Sequence, residues 1–148
     1  MAVVDRDLGF SRIVSDIRKL DGRTVCAGIL RDAGTNKEGI PIVEYATYNE
    51  YGTSRIPSRP FIRIASDENR DVWLGIAKKG VGRIIDGTSS ADGCCEDIGQ
   101  RMKDDIKKVI GDKSKLAPNA PSTIRRKGHD KPLIDTGLMK SKVNYRVD

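Results

Sequence analysis

The sequence predicts an α+β chain, and three observations predict it. Two long segments carry apolar residues at helical spacing, two short segments near opposite ends pattern as strands, and between them lie a proline-rich loop and a polar arm without periodicity. At 148 residues the chain is long enough for one domain with a real core, and one domain spanning 1–148 is expected.

The elements follow in order. Phe10, Ile13, Val14, Ile17 and Leu20 recur at helical spacing among charged residues, so residues 7–20 read as an amphipathic helix stopped by Asp21-Gly22. In "TVCAGIL" (24–30), Val25, Ala27 and Ile29 share one face and Cys26 and Leu30 the other, which predicts a strand buried on both sides. "AGTNKEG" (33–39) is a loop; with Gly34 at the third position it does not continue as a calcium loop. Pro41 suits a first helical turn, and Ile42, Tyr45, Ala46 and Asn49 fall at i, i+3, i+4 and i+7, so a short helix ends at Gly52.

Pro57 and Pro60 forbid regular structure over 51–59, giving an extended loop. Pro60 then opens a long helix to Ile85, with Phe61, Ala65, Val72, Ile76 and Ile84 as its stripe and Gly75, Gly80 and Gly82 as weak or close-packing points. Ser89 or Ser90 caps a second long helix bearing Cys95, Ile98, Met102, Ile106 and Val109, ending at Gly111 and packing on the first as a hairpin. Residues 112–132 form a flexible basic arm, and Val143, Tyr145 and Val147 alternate as a closing strand with one buried face.

Charge is distributed unevenly. From Asp112 onward nine Lys or Arg face four Asp, so the tail carries nearly all of the net +6. Such a segment suits DNA, an acidic protein surface or simple solvation. No apolar run is long enough for a membrane span, and the N-terminus lacks a signal pattern. Three cysteines, two of them adjacent, predict reduced thiols in a cytosolic setting.

The string "KPLIDTG" (131–137) has the local form of an aspartic-protease aspartate, a chemistry that needs two carboxylates in a closed β-fold. Only eleven residues follow Gly137, too few for the rest of a lobe. Asp135, Thr136 and Gly137 therefore read as turn and cap chemistry. The single histidine, His129, lies in the polar arm away from any nucleophile pattern, and no P-loop, dinucleotide fingerprint or zinc-ligand spacing is present. No catalytic, cofactor or metal residue is assigned, and no enzyme is expected.

Three segments in order carry a resemblance: "YNEYGTSRIPSRPFIR" (48–63), "APNAPSTIRRKGHDKPLIDTG" (117–137) and "LMKSKVNYRV" (138–147). Together they resemble the neck and tail-completion proteins of tailed bacteriophages and prophages, which include minor tail protein Z-like and head-tail joining proteins. The resemblance covers the chain from about Val25 to its end. It implies a small antiparallel sheet covered on one side by the long helices. It also implies a virion protein that assembles as a ring, commonly of six subunits, at the head-proximal end of the tail. There it would join the tail tube or terminator to the neck, around the channel through which DNA passes non-specifically, after assembly in the host cytoplasm. On this reading Arg55, Arg59, Arg125, Arg126 and Lys127 are interface residues, Arg59 touching an acidic partner. Gly52, Pro60, Asp135, Thr136 and Gly137 set turns. A small basic DNA-binding protein and a tail assembly chaperone are the alternatives.

Overall fold

The computed structural model describes residues 8–148, and the fold is α+β. Helix α1 (Phe10–Arg18) is followed by strand β1 (Val25–Ile29), a single 3-10 turn (Arg31–Ala33) and α2 (Ile42–Tyr51). The long helices α3 (Phe61–Ile85) and α4 (Ala91–Val109) come next, then α5 (Pro121–Lys127), α6 (Leu138–Ser141) and β2 (Val143–Val147). The two strands pair antiparallel, with Val25 opposite Val147, Ala27 opposite Tyr145 and Ile29 opposite Val143. The first and last strands of the described chain thus close one sheet, and α4 lies across both.

The helix hairpin is the frame. Ser90 accepts a hydrogen bond from Gly93 N at 3.1 Å and so caps α4, while Asp86 and Gly87 turn the chain at the end of α3. Close approach of the helices requires a missing side chain: a Cβ on Gly80 would meet Cys94 Sγ at 2.2 Å. Gly99 plays the same part against the sheet, where a Cβ would lie 2.2 Å from the Tyr145 ring. Gly82, by contrast, has open space around it. The core joins Phe61 and Ala65 of α3, Ile106, Val109 and Ile110 at the end of α4, and Ile42, Ala46, Leu116, Met139 and Val143.

Several expectations are corrected. Helical spacing puts Val72 on the buried stripe of α3, but it is 41% exposed. The buried face of α3 rotates from Phe61 and Ala65 towards Gly80 and Ile84, where α4 crosses, and a straight stripe misses that turn. In β1 only Gly28 is buried and the side chains are half-buried, because a two-stranded sheet leaves each strand an edge. No residue of α1 is buried; it lies on the outside of α3, where Arg12 donates to the carbonyls of Ile84 and Ile85. The expected start of that helix at Asp7 lies outside the described residues. The arm contains a regular element, the two-turn α5 begun by Pro121 and ended by Gly128 at φ +75°.

Candidate functional site

The proline loop and the arm, expected to make contacts, are joined through buried Arg59, and buried Glu50 ties the loop to the start of α3. Gly52 ends α2 at φ +79°, where a Cβ would also sit 2.9 Å from Ser58 N, so the turn demands glycine. Thr53 closes the loop beyond it: its hydroxyl accepts from Arg55 N and Ile56 N, and its amide donates to Ile56 O. The chain then folds back on α2, with Arg59 N donating to Asn49 O at 2.6 Å and Ser58 Oγ to Glu50 O at 2.9 Å.

Glu50, 4% exposed, holds the start of α3. Its carboxylate accepts from Ile62 N at 3.0 Å and Arg63 N at 3.1 Å, two of the amides a helix N-terminus leaves without partners. Arg63 returns the contact through Nε to the same carboxylate and Nη2 to the Glu50 carbonyl. A carboxylate at the positive end of a helix dipole is well placed. Local sequence gives this position no role, because the cap arrives from another helix rather than from the residue that precedes α3.

Arg59, 8% exposed, fastens the arm to the loop. Its Nε donates to Ala117 O and its Nη2 to Pro118 O, both at 2.8 Å. Burial lowers its pKa from the usual arginine value. Directed inwards to these carbonyls, Arg59 is not displayed to an acidic partner as expected from sequence. Lys127 is also turned inwards, donating to Ile134 O, and burial lowers its pKa while neighbouring Asp135 opposes the shift.

Arg55, Arg125 and Arg126 are exposed, and among the described residues none makes a salt bridge. The Asp135-Thr136-Gly137 turn leads into α6, as a turn was expected to, but Asp135 is exposed and caps nothing. Thr136 Oγ1 makes the local contact instead, accepting from Leu138 N at 3.4 Å. Leu133, held at φ +60°, and Ile134 pack against the core, which fixes the approach to the turn.

The chain matches no family model, no curated protein and no solved structure.

Other chemistry is sparse. Among the described residues no three His, Cys, Asp or Glu side chains group to hold a metal, and no helix is long and apolar enough to cross a membrane. The three cysteines are free thiols, and burial pushes the Cys94 thiol up, away from the reactive thiolate. Asp105 is the second buried carboxylate, 2% exposed, and accepts from Trp73 Nε1 at 2.9 Å, Arg101 Nε at 2.8 Å and Lys108 Nζ at 3.0 Å. These bonds tie the middle of α3 to α4 and are structural in geometry. A surface depression of about 500 Å³ is lined by Ile76, Lys79, Gly82, Arg83 and Asp86.

Proposed function

We propose that this protein is a structural component of the tailed-bacteriophage virion. It forms a ring, sixfold in the commonest arrangement, at the head-proximal end of the tail, completing the tail and joining it to the neck and head-completion proteins. The observation that carries the reading is the meeting of the three segments on which the resemblance rests. Arg59 of the first holds the carbonyls of Ala117 and Pro118 in the second, and Phe61 of the first, Leu133 and Ile134 of the second and Met139 and Val143 of the third pack in one core cluster. Arg55 is exposed on the loop, and Arg125 and Arg126 are exposed on the arm. Arginine is the cation favoured at protein interfaces, where its planar fork meets carboxylates and carbonyls. The residues displayed are those of a docking surface rather than a reaction centre.

Electron microscopy of lysates from a phage with this gene disrupted tests the reading, with the parent gene or an Arg125→Glu/Arg126→Glu double variant supplied in trans. Filled heads beside separate tails, or tails of abnormal length, are expected without the gene, with rescue by the parent and not by the double variant. Normal particles without the gene would overturn it. A defect in assembly with the protein missing from purified particles would instead identify a chaperone.

A further inference from the structure

A second basic feature lies apart from the arginine surface. A cleft of about 310 Å³ opens between the C-terminal half of α4, the Arg31–Ala33 turn and the start of β2, and Lys103, Lys107 and Lys142 line it. Ser141 and Asn144 complete a polar wall, and among the described residues Asp32 is the one carboxylate there. Among the described residues none of the three lysines makes a salt bridge, although other lysines of the chain do: Lys108 meets Asp105, and Lys113 meets Asp130.

The arrangement has an electrostatic cost that the fold itself leaves in place. Lys103 and Lys107 are four residues apart on α4, so they are neighbours of like charge on one helix face. Lys142 brings a third ammonium to the same cleft from the start of the sheet. A helix C-terminus favours cations in its last turn, which accounts for Lys107, but Lys103 lies further back and gains little from it. Its ammonium is held 5.3 Å from the centroid of the Tyr145 ring.

We infer that this cleft binds the phosphodiester backbone of DNA, seating phosphate groups between Lys103, Lys107 and Lys142. The inference rests on the proposed function for where DNA is met, in the channel of the ring. Composition chooses the partner: interfaces between proteins are enriched in arginine and depleted in lysine, and among the described residues the basic lining of this cleft is lysine alone. No aromatic ring lines it to stack on bases, so recognition is by charge and independent of sequence. Contacts of this kind are weak and salt-sensitive, which suits a surface past which DNA must slide.

The test is fluorescence anisotropy with a labelled duplex over a series of salt concentrations. It compares the parent protein, Lys103→Gln/Lys107→Gln/Lys142→Gln, and the charge-matched control Lys37→Gln/Lys78→Gln/Lys79→Gln. A Lys107→Glu/Lys142→Glu variant keeps the Tyr145 contact and guards against a folding defect, with circular dichroism checking each protein. The cleft variants should lose about tenfold or more in affinity, and the triple should flatten the dependence of log affinity on log salt by about two to three. The control should change affinity by less than about threefold. Equal losses in cleft and control variants, or a parent that binds no DNA at low salt, would overturn the site. Failure of the ring reading is distinguishable: normal particles without the gene, together with a selective loss in the cleft variants, would leave the DNA site standing.

Discussion

Two buried carboxylates illustrate how single residues hold this fold. Glu50 and Asp105 are both almost wholly removed from solvent, yet each is surrounded by N–H donors: two backbone amides and a guanidinium for Glu50, an indole, a guanidinium and an ammonium for Asp105. For Asp105, desolvation raises the pKa, but the bonds from Trp73, Arg101 and Lys108 outweigh it and the net shift is downward. A carboxyl whose pKa is lower folded than unfolded stabilises the protein above the unfolded value. That contribution disappears as the pH falls from about 3.9, the ordinary aspartate value, through the lower folded one. The melting temperature of the parent should therefore drop steeply below about pH 4, while Asp105→Asn should show a lower neutral-pH melting temperature and a shallower acid slope. Calorimetry from pH 7 down to pH 2 checks this, and parallel acid slopes would refute it. In sequence Asp105 reads as solvated, a charged residue on a polar helix; only the position of Trp73 on the neighbouring helix makes it internal.

At the scale of elements, glycine decides how closely the helices approach. The sequence marks Gly75, Gly80 and Gly82 alike as interruptions of α3, and their spacing does not separate a packing glycine from a tolerated one. The fold does: a Cβ would strike Cys94 at Gly80, and nothing lies within 4 Å of one at Gly75 or Gly82. Gly99, on α4, meets the ring of Tyr145 from the last strand, a contact that local sequence does not reveal. Gly99→Ala is expected to destabilise the protein by about 1–3 kcal/mol, as overpacking does. Gly82→Ala, in a helix with free space, should stabilise it by up to about 1 kcal/mol. Urea denaturation of the two variants beside the parent measures both, and effects of the same sign would contradict this account of the hairpin.

Across the whole molecule, the proline loop and the arm become one structure through Arg59. Removing its guanidinium leaves the carbonyls of Ala117 and Pro118 without these donors, so Arg59→Ala should cost about 1–3 kcal/mol. It should also speed proteolysis within 112–132, whereas Arg125→Ala should do neither. Limited proteolysis with mass mapping of the first cuts reads the difference, and equal cleavage rates would remove Arg59 from this role. The sequence by itself determined most of the elements, α5 in the arm excepted: proline and glycine bound α2 and α3, apolar periodicity marks both long helices, and alternation marks β2, because these signals are local to the segment that folds. Only the tertiary structure decided which charges are internal. Glu50, Arg59 and Asp105 look like surface residues along the chain, and burial of a charge depends on donors and acceptors that distant segments bring to it. The same holds for Lys103, Lys107 and Lys142, which make no salt bridge among the described residues, since their gathering at one cleft becomes evident only when every neighbouring element is in place.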